Sequence, residues 1–295
     1  MSDQATAEPR NMISKQRSLW GDALRRVMQN PGSMTGLALL LIIIASALLA
    51  PLLTSHDPIA IVAAERLKPP GATYWFGTDA FGRDIYTRVI YGGQISLRVG
   101  IISVAIASLF GVTGGMVAGY FGGRIDTMIM RLADITLAFP GILLALVVIA
   151  ILGPSLFNAM IAVGISAAPT YARVARGMVL QTKAEMYIEA TVSIGSPPGR
   201  VLLRHILPNI LGPLVVVATL GVAGAIISGA ALSFLGLGAQ PPTPEWGLIL
   251  SEGRSYLRHA WWITTFPGLA IMVTVLSINL LGDGLRDALE PRMTR

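Results

Sequence analysis

MTGLALLLIIIASALLAPLL, residues 34–53, runs for twenty residues without a charged side chain. A helix of about 20 residues rises roughly 30 Å, the depth of the hydrocarbon core of a bilayer. A charge inside that core costs kilocalories, so the gaps between charges mark the parts of a chain that can lie there. Working outward, the first gap covers 27–56, and four more follow at 99–123, 135–172, 205–244 and 259–282. The gap at 135–172 is long enough for two short helices, with Gly153-Pro154-Ser155 as the turn between them. Pro208 and Gly212-Pro213 crowd the start of 205–244, and Gly238-Ala239-Gln240-Pro241-Pro242 closes it, leaving room for one span. Six spans are expected, at 34–53, 99–120, 135–152, 156–172, 214–237 and 261–281. Pro169 sits near the end of the fourth, and the sixth opens on an interfacial pair, Trp261-Trp262. The fold class is an all-α polytopic membrane protein.

The composition of the whole chain agrees. Of 295 residues, 53% are hydrophobic, 13% are charged and none is cysteine. A soluble domain carries about a quarter charged residues, and the same figures exclude disordered, collagen-like and disulfide-stapled classes. With six alternating spans, segments 1–33, 121–134, 173–213 and 282–295 share one side and hold fifteen Lys and Arg, against seven on the other. The positive-inside rule then places both termini in the cytoplasm. The net charge of +6 is thereby explained by topology, and no nucleic-acid partner is expected. Ala45-Ser46-Ala47 looks like a signal-peptidase site, but the polar segment before the span is long and apolar sequence continues past the cut. The first span is expected to stay. In chain order the expected organisation is a cytoplasmic segment at 1–33, a first transmembrane helix at 34–54 and an extracytoplasmic loop at 55–96. A core of five transmembrane helices at 97–285 follows, with a cytoplasmic loop at about 173–209 and a cytoplasmic tail at 286–295.

No Asp, Glu, Lys or Arg falls inside an expected span, and His56, His205 and His259 lie at ends or in loops. Ion-coupled carriers ordinarily need an ionisable or carbonyl-lined site at mid-membrane. There is no HExxH or GxSxG, and none of the three lysines (Lys15, Lys68, Lys183) follows a glycine as a phosphate loop requires. The chain is read as no enzyme, binding no cofactor or metal, and unable to energise transport alone unless backbone carbonyls form an ion site. Gly111, Gly115 and Gly119 recur at spacing four in the second span, as do Gly221, Ala225 and Gly229 in the fifth. Such a stripe lets another backbone approach closely, either within this chain or from a second subunit or a moving helix.

Two loops stand out. In 76–84, Asp84 is placed to cap a helix running through Arg98, and Asp79 and Arg83 are placed for local ion pairing or, alternatively, substrate contact. Glu245-Trp246 in the other outer loop is read as a helper of that face or as an interfacial anchor. The loop after the fourth span reads as a helix (YARVARGMVLQTKAEMYIEATVSIG), a break at Pro197-Pro198 and a second short helix ended by Pro208. A loop so structured on the basic side suits docking of a soluble partner, or is an inert surface hairpin.

Glu189-Ala190-Thr191, Gly195 and Leu207-Pro208 resemble the E-A-A-x3-G-x9-I-x-L-P motif of ABC importer permeases, with Thr191 for the second Ala and His205 in the Ile slot. Phe76-Gly77-Thr78-Asp79-Ala80-Phe81-Gly82-Arg83-Asp84 resembles the F-G-T-D-x-x-G-R-D segment of the second, C-type permease of dipeptide and oligopeptide importers. Gly122-Gly123-Arg124 with Asp126, Met130-Arg131, Asp134 and Phe139-Pro140 is similar to the segment between that permease's second and third spans. Leu232-Ser233-Phe234-Leu235-Gly236-Leu237-Gly238 and 282–291 resemble the end of its fifth span and its C-terminal signature. The resemblance covers about residues 30–292 in order.

It implies the type I ABC importer permease fold in the bacterial inner membrane. It also implies a homologous second permease subunit, two ATP-binding subunits that hold ATP and Mg, and an extracytoplasmic substrate-binding protein. Glu189, Ala190, Gly195, Leu207 and Pro208 would belong to the loop that couples to the ATPase. Gly77, Thr78, Asp79, Gly82, Arg83 and Asp84 would build the face that receives the binding protein. Transport of short peptides by alternating access is the implied function. Importers of glutathione, D-alanyl-D-alanine and nickel share these motifs, and 238–247 looks most like the glutathione and dipeptide types. An ATP-independent channel or carrier is the alternative from another class.

Overall fold

The computed structural model describes residues 19–289. The N-terminal 1–18 and the tail from Glu290 onward, with the last two residues of the 282–291 signature, lie outside the described residues. Among those described the chain is helical, with one isolated β-bridge, Thr78 to Asp84, and no strand.

Helix α1 (Leu19–Gln29) lies against the far end of the chain, where Val27 is buried beside Ala288. Asn30 then caps α2 (Pro31–Leu48) by accepting from the Gly32 and Ser33 amides, with Pro31 in the first turn where no amide is missed. A bend at Leu49 leads into the short α3 (Ala50–Leu53). Much of the apolar surface of α2, including Leu41, Ile42 and Leu48, is exposed. A helix therefore stands where the first span is expected, offset by three residues and bent near its end.

Asp84 caps α4 (Ile85–Phe121) through the Tyr86 and Thr87 amides, as the sequence suggested. Its 37 residues extend roughly 55 Å. Gly122 and Gly123, at φ +66° and +54°, turn the chain into α5 (Gly123–Leu137). Pro140 stops α5, and α6 (Gly141–Leu152) leaves at 96° to it. The expected span at 135–152 is broken in two: its first residues complete α5, and Pro140 separates them from α6. Ser155 caps α7 (Leu156–Lys183), which continues through the expected boundary at Ala172 without interruption. A charged residue ends a lipid-buried stretch but not a helix whose charges have partners, as Arg173 and Arg176 do.

The next elements are α8 (Met186–Ser193), the one-turn α9 (Pro198–Arg200), a π-helical stretch at Val201–Ile206 and α10 (Leu207–Phe234). From Pro198 to Phe234 the helix is continuous. Pro208, expected as a terminator, sits in the first turn of α10 instead. The wider π turn before it makes room for the proline ring and its missing amide. Finally α11 (Trp246–Gly253) packs against α12 (Trp262–Leu289).

Among the described residues, four helices are long and apolar enough to cross a membrane (Pro31–Leu48, Ile85–Phe121, Pro198–Phe234, Trp262–Leu289), and the bent pair α5–α6 makes up to five. The core between α4, α6, α7 and α10 contains Val104, Ala107, Ile149, Val163, Tyr171 and Leu232. The glycine stripe of α4 lies on α7: a Cβ on Gly115 would stand 2.2 Å from the Ala172 carbonyl oxygen. In α10, a Cβ on Gly229 would stand 2.3 Å from Val99. Both stripes therefore serve contacts within this chain.

Candidate functional site

The two singled-out loops lie at opposite ends of α4. At its start, the chain from Pro58 to Asp84 folds over the bundle, and the six motif residues Gly77, Thr78, Asp79, Gly82, Arg83 and Asp84 are all buried. Gly82 holds φ +77° with its Cα against the Val62 carbonyl, where a Cβ would lie 1.9 Å away. The Thr78 hydroxyl donates to the Glu65 carbonyl and accepts from the Lys68 amide at 2.8 Å. Asp79 accepts from the Phe81 and Arg83 amides at 2.8 and 2.9 Å and from Arg83 Nε at 2.6 Å. These residues build the face and do not present themselves on it, while Trp75 and Phe81 are exposed there. Local pairing and capping account for Asp79, Arg83 and Asp84.

Two partners in this cluster carry no signal in the sequence. Arg83 Nη2 and Arg88 Nη2 both donate to Glu252 Oε2, at 2.7 and 3.0 Å, and the two arginines are 3% and 0% exposed. Arg88 and Glu252 are 164 residues apart, so nothing local could have joined them. The reading of Trp246 and Trp262 as interfacial anchors is corrected. Trp246 is buried and donates to the Val89 carbonyl at 2.9 Å, and Trp262 is buried and donates to the Thr78 carbonyl at 3.0 Å. Trp246 ties α11 to α4 and Trp262 ties α12 to the outer loop, because a buried indole N–H needs an acceptor. Of the pair Trp261-Trp262, Trp261 is the exposed member. Glu245 is buried and caps α11 by accepting from the Leu248 amide at 2.9 Å. Burial pushes its carboxyl above the ordinary range, against the Gly247 and Leu248 amides and the Ser233 and Ser96 hydroxyls, which pull it down.

At the other end of α4, Lys183 donates to the Tyr120 carbonyl at 2.7 Å, and the chain turns into α8. Glu189 and Ala190 are exposed on α8, with Met186 at its start 85% and Ile194 just past its end 83% exposed. Ile188 points inward, into a cluster with Val179 of α7, Val201, Ile206 and Ile210. Asn209 donates to the Tyr187 hydroxyl at 3.0 Å and ties α8 to α10. Gly195 ends α8 at φ +84°: its amide reaches the Val192 carbonyl at 2.9 Å and the Ser196 amide reaches the Thr191 carbonyl at 3.3 Å. That pair of bonds is a Schellman closure, whose left-handed position favours glycine. Leu207 is half-buried against the Ile188 cluster, and Pro208 is exposed beside it. The loop is therefore a short exposed helix held on the bundle by an apolar anchor and a hydrogen bond. Nearby, Asp126 of α5 receives Arg176 of α7 in a two-pronged pair at 2.5 and 2.6 Å, and Arg173 reaches Asp134 at 2.7 Å. The pairs fasten the bent α5 to α7.

At the outer end Ser55 Oγ lies 3.5 Å from His56 Nδ1, the same nitrogen that faces Asp84 Oδ2 at 3.5 Å, so the three do not form a relay from hydroxyl through imidazole to carboxylate. Among the described residues no three His, Asp or Glu side chains meet as a metal site.

A family model described as binding-protein-dependent transport system inner membrane component matches residues 111–295. A second, the N-terminal TM domain of oligopeptide transport permease C, matches 18–70. A dipeptide transport system permease protein of Alkalihalophilus pseudofirmus is 49% identical over 94% of this chain and 91% of its own. A probable D,D-dipeptide transport system permease of Escherichia coli is 43% identical over 89% and 88%. A glutathione transport system permease of Pectobacterium atrosepticum is 44% identical over 94% and 92%. Among solved structures, a chain of the MetNI methionine ABC transporter in an inward-facing conformation superposes with a TM-score of 0.57 at 20% identity. It covers 70% of this chain and 98% of its own, and the likeness is one of fold.

Proposed function

The chain belongs to the binding-protein-dependent transport system inner membrane components, and on that premise we propose that it is a transmembrane subunit of an ABC importer for short peptides. Relatives named for dipeptides, D,D-dipeptides and glutathione, matched over nearly the whole chain, support that substrate class. The spans in this reading are α2–α3, α4, the bent pair α5–α6, α7, α10 and α12. Both termini and α8 then lie in the cytoplasm of a bacterial cell, and α11 with the Pro58–Asp84 fold lies outside.

The observation that carries the reading is α8, an exposed helix whose buried side chain, Ile188, reaches α7 and α10 together. A second permease subunit, two ATPase subunits and an outer binding protein complete the machine. ATP and Mg on the ATPases supply the energy. A push on α8 passes through Ile188 and the Tyr187–Asn209 bond into α7 and α10, and close packing turns it into movement of whole helices. At the other end the buried Asp79–Arg83–Arg88–Glu252 cluster keeps the receiving face rigid while the helices move.

The test uses the complete importer in proteoliposomes. Glu189→Lys should leave the chain inserted and folded while abolishing peptide uptake and stimulation of ATPase activity by the loaded binding protein. Normal uptake by this variant removes α8 as the coupling element.

A further inference from the structure

At the middle of the helical bundle, a cavity of about 400 Å³ lies between α4, α6, α7 and α10. Ser103, at the centre of α4, and Tyr171, near the centre of α7, are 1% and 4% exposed and line it. Neither hydroxyl has a hydrogen-bond partner in the protein. A buried hydroxyl without a partner costs free energy, and here two residues that carry one line the same space. Ser166, Thr170 and Ser228 add hydroxyls to the same lining, and no lining residue carries a charge. Gly224 opens the wall, for a Cβ there would meet nothing within 4 Å.

We propose that this cavity is a way-station for the transported solute, in which Ser103 and Tyr171 bond a neutral hydrogen-bonding group, the main-chain amide of a short peptide. Hydroxyls donate and accept, which matches an amide N–H and C=O, whereas the charged peptide termini find no counter-charge here and stay hydrated. A volume of this size is ordinary for a small-ligand site. The inference rests on the peptide-importer reading.

Two measurements on the complete importer test it. The Ser103→Ala/Tyr171→Phe pair keeps the shape and deletes both unpartnered hydroxyls. It should leave thermal stability unchanged or raised and stimulated ATPase activity intact, while uptake of labelled dialanine falls at least about fivefold. The chain has no cysteine, so Gly224→Cys provides a lone thiol in open space. Uptake by the unmodified variant is the reference against which the labelled one is read. A bulky thiol reagent should then block uptake, and excess dialanine should slow the labelling. Unchanged uptake by the double variant, or complete labelling with uptake unaffected and no protection by dialanine, overturns the proposal and leaves a cavity holding water or lipid. If the wild-type importer accumulates no peptide, the importer reading has failed. If it accumulates peptide indifferently to both changes, that reading stands and the cavity is off the path.

Discussion

Replacing Glu252 by Gln isolates the charge balance of the outer cluster. Glu252 takes Arg83 and Arg88 at 2.7 and 3.0 Å, and Asp79 takes Arg83 at 2.6 Å, so two buried cations face two anions. A glutamine at this position would keep the volume and an accepting oxygen but leave one positive charge unbalanced. Removing one partner of a buried ion pair costs about 3–5 kcal/mol. Glu252 is 17% exposed, which lets some water screen the loss and favours the lower end, about 3 kcal/mol. The assay is thermal unfolding of the purified chain in detergent, with Arg88→Met and the double variant alongside. Glu252→Gln should lower the midpoint by about 5 °C or more. The double variant restores neutrality and should be less destabilised than the sum of the singles, by at least about 1 kcal/mol. A Glu252→Gln midpoint equal to the wild type, or strictly additive singles, refutes the charge-balance reasoning.

Three further outcomes follow from single positions. Gly115→Ala drives a Cβ to 2.2 Å from the Ala172 carbonyl, so it should separate α4 from α7 and cost about 1–3 kcal/mol in the same unfolding assay. Gly195→Val should fray α8 and depress stimulated ATPase activity more than Gly195→Asn does, because Asn tolerates the left-handed φ of +84° and Val does not; equal effects would detach function from the Schellman closure. Burial raises the Glu245 carboxyl above its ordinary 4.5, so the stability it contributes is complete below that value and lost as pH climbs through the raised one. Thermal midpoints should therefore decline as pH rises from about 4.5, and Glu245→Gln should flatten that decline.

The gaps between charges located helices well and helix ends poorly, for one physical reason. Charge-free sequence reports lipid depth, whereas a helix continues wherever its charges are matched. Thus α4 begins at Ile85, before the gap, because Arg88 is matched by Glu252, and α7 runs to Lys183 because Arg173 and Arg176 meet Asp134 and Asp126. Prolines misled in a related way: Pro140 breaks a helix with no compensating turn, while Pro208 follows a π turn and breaks nothing. Asp84 as a cap and Gly195 as a helix end were legible because both signals are local, whereas the break at Ala184-Glu185 that separates α8 from α7 lies inside a stretch that reads as one helix. The Glu252 cluster and the unpartnered Ser103 and Tyr171 hydroxyls were not, since each depends on residues brought together across the fold.

The proposed coupling of peptide movement to ATP hydrolysis through α8 is tested by accumulation of a labelled dipeptide in proteoliposomes. These hold the chain with its second permease and both ATPases, with ATP enclosed on the ATPase side and the loaded binding protein on the opposite side. Accumulation against a gradient that requires ATP hydrolysis and disappears with Glu189→Lys is the expected result. Equilibration without ATP, unaffected by Glu189→Lys, would contradict it and make the chain a carrier or channel.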